Sequence, residues 1–100
     1  MSRCELATAA NADLLDIVRY TFQKWGPAQA RSYREELELA LQQLSLTPDL
    51  GRRRESVAPG LQSFPVAQHV AFYAQRKDGI VVLRILHPRM NVDDAFAGDG

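Results

Sequence analysis

The spacing of apolar residues changes once along this chain, near Gly60, and no other feature limits the fold as strongly. Before Gly60 the apolar positions recur in steps of three and four, which is the spacing of one helix face. After Gly60 they alternate with a period of two, as they do in strands. Helices followed by strands indicate the α+β class, with the helices packed on one face of a sheet.

Two helices are predicted in the first half of the chain. Thr8 is the expected N-cap of the first helix, and Gly26 stops it. Pro27 suits the first position of the second helix, which should end before Pro48. The junction at Trp25-Gly26-Pro27 therefore predicts an antiparallel hairpin. Trp25 is expected to be a core aromatic or, if it is exposed, an anchor for a partner. The predicted apolar faces are Ala10, Leu14, Ile17, Val18, Phe22 and Trp25 in the first helix, and Ala30, Tyr33, Leu37, Ala40, Leu41 and Leu44 in the second.

Three antiparallel strands are predicted in the second half. The first begins at Leu61, the second covers residues 69–74, and Asp78-Gly79 is a hairpin turn signal. The third strand, Ile80–His87, is almost wholly aliphatic, so we expect it to be central and covered on both faces. Residues 3–7 are compatible with a short additional strand. The predicted order is β-α-α-β-β-β, a helical hairpin on a small antiparallel sheet.

The length of 100 residues suffices for one core, so residues 1–100 are read as a single domain. Residues 48–60 read as a loop bracketed by turn signals, and residues 93–100 as a flexible tail. The longest aliphatic run, Ile80–Leu83, is too short to span a membrane. A single cysteine, Cys4, allows no internal disulfide and suits the reducing cytoplasm, where we expect the protein to work.

Charge is balanced overall but uneven along the chain. The twelve basic and twelve acidic residues cancel, which disfavours a general nucleic-acid binder. Counting by segment gives a net −2 over residues 1–51, +5 over residues 52–90 and −3 over residues 91–100. Ten of the twelve basic residues are arginine, whose planar fork matches carboxylates and phosphates. The middle segment could therefore meet an anionic partner.

The single residue that most needs a structural explanation is an arginine inside the aliphatic third strand. Arg84 must be paired or face a groove, because a lone buried charge costs several kcal/mol. One interpretation is an ion pair with a helix carboxylate such as Asp13 or Asp16. The other is an anion contact on the open face of the sheet.

Other side chains suggest binding rather than catalysis. Arg52, Arg53 and Arg54 form a cluster that is either a solvated surface or a docking patch for an acidic peptide or a phosphate backbone. His69 and His87 are the only histidines and lack metal-ligand spacing. No nucleophile motif or phosphate-binding loop is present in the sequence. We therefore predict no catalytic residue, no metal and no cofactor.

A set of stretches, in order over residues 5–91, resembles the ParE toxins of the RelE/ParE superfamily. The matching stretches are Ala12–Ile17 with Tyr20-Thr21, Trp25–Ala30 with Tyr33, Pro48–Arg52, Pro59–Ser63, His69–Tyr73 and Asp78–His87. The most specific of these matches is the ending Arg84-Ile85-Leu86-His87, followed by Arg89-Met90. Where family members commonly have Asp after Arg-Met, this chain has Asn91.

The resemblance implies a helical hairpin on an antiparallel sheet, in agreement with the periodicity. It further implies a toxin that inhibits DNA gyrase by binding and by stabilising its cleaved-DNA complex. A ParD-type antitoxin would neutralise it in a hetero-oligomer of two toxins with two antitoxins, or a larger one. Operator DNA would be bound only through the antitoxin. The alternative within the superfamily is a RelE-type ribosome-dependent mRNA endonuclease.

Candidate contacts follow from these partners. We expect the gyrase-facing patch at the end of the last strand, where methionine gives an adaptable apolar contact and arginine a directional charge; it comprises His87, Arg89, Met90 and Asn91. We expect the antitoxin to cover apolar residues of the helical hairpin and the arginines of the loop and strand. These candidates are Leu15, Phe22, Leu39, Arg52, Arg53, Arg54 and Arg84.

Overall fold

A helical hairpin lies on one face of a five-stranded sheet in the computed structural model, which describes residues 2–97. The elements are β1 (Arg3–Leu6), α1 (Thr8–Trp25), α2 (Pro27–Leu46), a 3₁₀ turn (Pro48–Leu50), β2 (Arg52–Arg53), β3 (Gln62–Val66), β4 (His69–Arg76), β5 (Gly79–Leu86) and α3 (Val92–Ala97). The α+β class, the hairpin and the three predicted strands after Gly60 are confirmed.

The sheet is mixed rather than wholly antiparallel. Its order is β1-β5-β4-β3-β2. β3 to β5 pair antiparallel, as predicted, and β2 also pairs antiparallel with β3. The antiparallel expectation is wrong for β1, which pairs parallel with β5 from Arg3↔Gly79 to Leu6↔Val82. Parallel neighbours need a long crossover, and the helical hairpin with β2–β4 supplies it. The predicted loop 48–60 also contains β2, which pairs with β3 through Arg52↔Ser63.

The helix junction forms where the sequence places it, with two local differences. Ala7, not Thr8, is the N-cap of α1, and no side chain caps that end. Gly26 ends α1 with a φ of +92°, a conformation that favours glycine. The core placement predicted for Trp25 is wrong, since its side chain is 60% exposed. It meets the Tyr20 ring edge-on, and the Lys24 ammonium lies 5.5 Å from its ring centroid.

A bulge in β5 changes which face each of its side chains occupies. The register passes from Tyr73↔Val82 to Phe72↔Arg84, so Leu83 is unopposed on β4. Ile80, Val82 and Ile85 consequently all belong to the core beneath the helices, whereas Leu86 joins a second cluster. The regular alternation predicted for Ile80–His87 is therefore wrong beyond Val82.

The face of the sheet opposite the helical hairpin is covered by α3. Its side chains pack on a second cluster of Leu61, Phe72 and Leu86, and the Phe96 and Phe72 ring centroids are 5.7 Å apart. The Asp94 N–H donates to the Asn91 side-chain oxygen, so Asn91 caps this short helix. Residues 93–97, which the sequence places in a flexible tail, belong to this helix, and residues 98–100 lie outside the described part. The expectation that β5 is covered on both faces is confirmed.

Gly79 is required where β5 begins, because β1 passes against it. A Cβ there would lie 1.9 Å from the carbonyl oxygen of Arg3, which is backbone and cannot move away alone. We expect Gly79→Ala to lower the free energy of unfolding by about 1–3 kcal/mol, the usual cost of overpacking. Urea unfolding measures it. Lys77→Ala, in the same exposed turn, is the control and should be nearly neutral; equal losses in both variants would contradict the steric account.

Candidate functional site

Asp13 of α1 and Arg84 of β5 form a bidentate ion pair. Arg84 donates from Nε and one terminal nitrogen to the two Asp13 oxygens at 2.8 and 2.9 Å, and from the other terminal nitrogen to the Ala95 carbonyl at 3.1 Å. The Asp13 and Arg84 side chains are only 14% and 24% exposed. The ion-pair interpretation is confirmed with Asp13 as the partner. The open-face interpretation is wrong, and this placement argues against Arg84 as an antitoxin contact.

The same carboxylate also closes an open edge of the sheet. β1 accompanies β5 only as far as Val82, so among the described residues no strand lies along this edge of β5 beyond that point, while β4 pairs with the other edge. There the Ile85 N–H donates to Asp13 Oδ2 at 2.9 Å. A buried charge thus receives three hydrogen bonds, and an edge that could attract another strand is capped by a side chain.

A groove of about 590 Å³ runs between α1 and the end of β5, and we call it the α1–β5 groove. One wall is a face of α1, formed by Ile17, Tyr20, Thr21 and Trp25. The facing residues come from β5, the turn after it, the start of β4 and the first half of α2. They include Tyr33, His69, Ile85, His87 and Met90. The surface is mainly apolar and aromatic, which suits a binding groove.

A polar cluster of Tyr33, His69 and His87 lies in this groove. The Gln68 N–H donates to the Tyr33 hydroxyl oxygen at 3.0 Å, and that oxygen lies 2.7 Å from His69 Nδ1. The His69 and His87 rings meet edge-on at 5.9 Å. The Arg89 N–H donates to His87 Nδ1, so a neutral His87 carries its proton on Nε2. Burial raises the pKa of Tyr33, which keeps its hydroxyl protonated.

Stability should fall in mild acid because of His69. Burial lowers the pKa of His69 below its usual value of 6.5, and the neighbouring His87 lowers it further. As pH falls through 6.5, His69 binds a proton in the unfolded chain before it does so in the native state, and the native state is therefore destabilised. Above that range His69 makes no contribution to the pH dependence of stability. We expect the Tm to fall between about pH 7.5 and 5.5, and His69→Gln to reduce that fall. If the Tm of His69→Gln falls with pH as steeply as that of the wild type, His69 is not the group responsible.

The predicted gyrase-facing residues are brought together in one exposed turn. The Met90 N–H donates to the His87 carbonyl at 2.9 Å, which closes the turn after β5. His87, Arg89, Met90 and Asn91 are all exposed. His87 and Met90 line the α1–β5 groove, so this patch continues into it.

The predicted antitoxin contacts do not form one surface. Leu15, Phe22 and Leu39 are exposed on the helical hairpin but do not line the α1–β5 groove. Arg52 and Arg53 are exposed on the edge strand β2, at the opposite end of the sheet from β1.

Arg54 differs from the two arginines before it. It is half-buried, its guanidinium lies over the Phe72 ring at 5.5 Å, and its Nε has no hydrogen-bond partner among the described residues. The arginine cluster predicted from the sequence is therefore split between two environments.

Sequence reasoning does not place Tyr20, Tyr33 or His69 in a groove, and the pairing of Tyr33 with His69 spans 36 positions. The exposure of Trp25 favours its second interpretation, as an anchor for a partner. A stripe at helical spacing on α1 is formed by Ile17, Tyr20, Thr21 and Trp25. This spacing could have indicated a second apolar face of the helix.

Two further searches cover the described residues 2–97. No group of three or more His, Cys, Asp or Glu side chains there could hold a metal ion. No helix in that range has the length and hydropathy needed to cross a bilayer.

The family model for the ParE toxin of the type II toxin–antitoxin system parDE matches residues 4–92. The chain belongs to the ParE toxin family. It is 37% identical over 93 residues to toxin ParE1 of Mycobacterium tuberculosis, covering 92% of this chain and 95% of that protein. It is 33% identical to toxin ParE1 of Caulobacter vibrioides, covering 91% and 94%. It is also 33% identical to toxin ParE of Escherichia coli, covering 87% and 85%.

The fold is also that of a solved structure described as the chromosomal ParDE toxin–antitoxin system from P. aeruginosa. The TM-score is 0.73 at 22% identity, covering 87% of this chain and 96% of the other. At that identity the match supports the fold, whereas the sequence relatives and the family model establish the ParE family.

Proposed function

We propose that this ParE-family toxin arrests growth by binding DNA gyrase and stabilising its cleaved-DNA complex, without catalysing a reaction itself. The observation that carries the proposal is the exposed turn after β5. A flexible thioether and an arginine lie there beside two polar side chains, on a turn closed by the hydrogen bonds that the Arg89 and Met90 N–H groups donate to His87. A patch presented on such a closed turn suits recognition of a folded partner.

The patch contains no set of groups that would mark it as catalytic. A nuclease needs a base, an acid and cations around the scissile phosphate. His69 and His87 could act as base and acid, and this pair is the one observation that favours the mRNA endonuclease alternative. Yet the charged side chains lining the same groove are Asp13, which Arg84 neutralises, and Asp16, whose carboxylate repels phosphate. Binding is therefore the better-supported activity.

Two parallel reactions with the purified toxin separate the alternatives. In the first, gyrase supercoils a relaxed plasmid; in the second, ribosomes translate a defined message. We expect the toxin to stop supercoiling and to leave the message intact. Normal supercoiling together with a cut message would reject the proposal in favour of the endonuclease.

The antitoxin of the proposed system is a ParD-type protein acting in the cytoplasm. Its wrapping segment would cover apolar side chains that the fold leaves exposed, among them Leu15, Phe22 and Leu39, each at least half exposed. We propose a hetero-oligomer of two toxins with two antitoxins or larger, with operator DNA held only by the antitoxin. The ParE family belongs to the type II toxin–antitoxin system parDE, and the structural neighbour is a ParDE system, which supports pairing with a ParD-type antitoxin.

Charge reversal on β2 tests the arginine contribution to antitoxin binding. We expect Arg52→Glu with Arg53→Glu to weaken affinity for the antitoxin about tenfold at low salt, because both side chains are exposed on an edge strand and would face acidic groups. Arg54 is left intact because it packs on Phe72. Titration calorimetry at two salt concentrations measures the effect. An unaltered affinity at low salt would reject these contacts.

A further inference from the structure

The outer edge of β1, which we call the β1 edge, is an open edge of the sheet. β1 lies at one end of the strand order, and among the described strands it pairs only with β5. The Arg3 N–H donates to the Asp78 carbonyl at 2.8 Å, so the odd-numbered residues of β1 direct their main-chain groups to β5. Since neighbouring residues of a strand direct these groups to opposite edges, those of Cys4 and Leu6 point outward.

The β1 edge lacks the features that protect sheet edges. β1 has no proline and pairs with β5 without a bulge. Cys4 and Leu6 are only partly buried where they pack against the core beneath the helices. The Gln42 amide of α2 donates to the Ser2 carbonyl at 3.2 Å, and Leu46, one helical turn further along α2, is 63% exposed. Apolar surface therefore accompanies the outward-pointing main-chain groups, and an added strand would cover both.

Charge selects one register for a second copy of the chain at this edge. Antiparallel pairing there must place outward-pointing residues opposite one another, so the available registers differ by steps of two residues. If Cys4 lies opposite Cys4 of the second copy, Arg3 of each chain lies opposite Glu5 of the other. A shift by one step places either Arg3 opposite Arg3 or Glu5 opposite Glu5. Opposite charges across a pair of strands are stabilising and like charges are destabilising, which favours the Cys4 register.

The charged side chains are available for such pairing. Arg3 and Glu5 are 66% and 59% exposed, and their contact within one chain is loose, at 3.6 Å. The chain carries no net charge at pH 7, so two copies do not repel each other at long range. A two-fold axis through the Cys4 pair uses the β1 edge of both chains, so the assembly closes as a dimer.

We infer that the free toxin forms a symmetric homodimer through its β1 edges, antiparallel and with Cys4 opposite Cys4. The two sheets then join into one continuous sheet, and both helical hairpins lie on the same face of it. The interface is small because β1 has four residues, so we expect weak association, with a Kd of about 10 µM. Neither gyrase nor an antitoxin is needed, and the inference goes beyond the proposed function.

Two single charge reversals test the interface and its register. Above the Kd, the wild-type toxin should sediment with twice the mass of the 11.2 kDa chain. Arg3→Glu and Glu5→Arg should each weaken the dimer at least about tenfold, because like charges then face each other across the strands. An equal mixture of the two variants should restore dimerisation, since every acidic side chain then faces a basic one. Restored contacts within a chain cannot explain this result, because mixing changes neither chain.

One further variant and one reaction complete the test. Arg31→Glu, an equal reversal at an exposed position in the first half of α2, should leave the dimer unchanged. Mild oxidation with diamide should link wild-type chains through Cys4, because residues paired in this way have Cα atoms about 5.5 Å apart, within the range of a disulfide. A monomeric wild type, a dimer that both reversals leave intact, or a mixture that stays monomeric would overturn the inference. A monomer whose antitoxin affinity falls on Arg3→Glu would also overturn it and would assign the β1 edge to the antitoxin.

Discussion

Replacing Asp13 by alanine is expected to lower the free energy of unfolding by about 3–5 kcal/mol. The change leaves the half-buried Arg84 guanidinium without its carboxylate and the Ile85 N–H without its acceptor. It also loosens α1 from β5, since Asp13 is the polar link between them. A loss of this size is a large fraction of the free energy of unfolding of a typical domain, which is roughly 5–15 kcal/mol. The midpoint of urea unfolding, followed by circular dichroism, measures it.

Asp16→Ala is the matched control, because it removes the same group one turn further along α1. Asp16 is exposed, and its contact with Arg19 spans 3.6 Å, so we expect a loss of at most about 1 kcal/mol. A second variant, Asp13→Asn, keeps the volume and one acceptor oxygen and should fall between the two. If Asp13→Ala and Asp16→Ala unfold at the same urea concentration, the Asp13 link does not stabilise the fold as described.

Replacing Arg89 and Met90 together by alanine is expected to abolish toxicity without unfolding the protein. Both side chains are exposed, so the cost in stability should be small. If they anchor gyrase, their loss removes about 2–4 kcal/mol of binding free energy, which is at least a thirtyfold loss of affinity. Growth after induction and inhibition of purified gyrase measure the effect.

The control for this pair is Leu50→Ala with Arg76→Ala, which removes one exposed apolar and one exposed basic side chain away from the α1–β5 groove. That variant should remain fully toxic. Antitoxin binding by the Arg89 and Met90 variant should persist, because the proposed antitoxin contacts Leu15, Phe22 and Leu39 lie outside the exposed turn. Growth arrest that persists in the double variant would show that the patch is misplaced.

Local sequence signals were sufficient for most of the elements. Gly26 and Pro27 end one helix and start the next, and Asp78-Gly79 closes a hairpin, because each acts through its own backbone conformation. The pairing of Arg84 with a helix carboxylate was also predictable, since an arginine in an aliphatic strand must find a counter-charge.

The remaining features depend on contacts between distant segments. The parallel pairing of β1 follows from where the crossover returns the chain, which periodicity does not encode. The bulge at Leu83 adds one residue to β5 and exchanges the faces beyond it. The α1–β5 groove likewise forms only when the fold brings α1 against the end of the sheet. The contact between Tyr33 and His69 could therefore not be predicted from the sequence.

The most direct test of binding to gyrase is the amount of cleaved plasmid in a gyrase reaction stopped with detergent and protease. The wild-type toxin should increase linear DNA in a dose-dependent and saturable manner. The Arg89 and Met90 double variant should leave it at background, and prior addition of antitoxin should suppress it. The account would be contradicted if folded wild-type toxin left cleaved DNA at background at the concentrations that arrest growth.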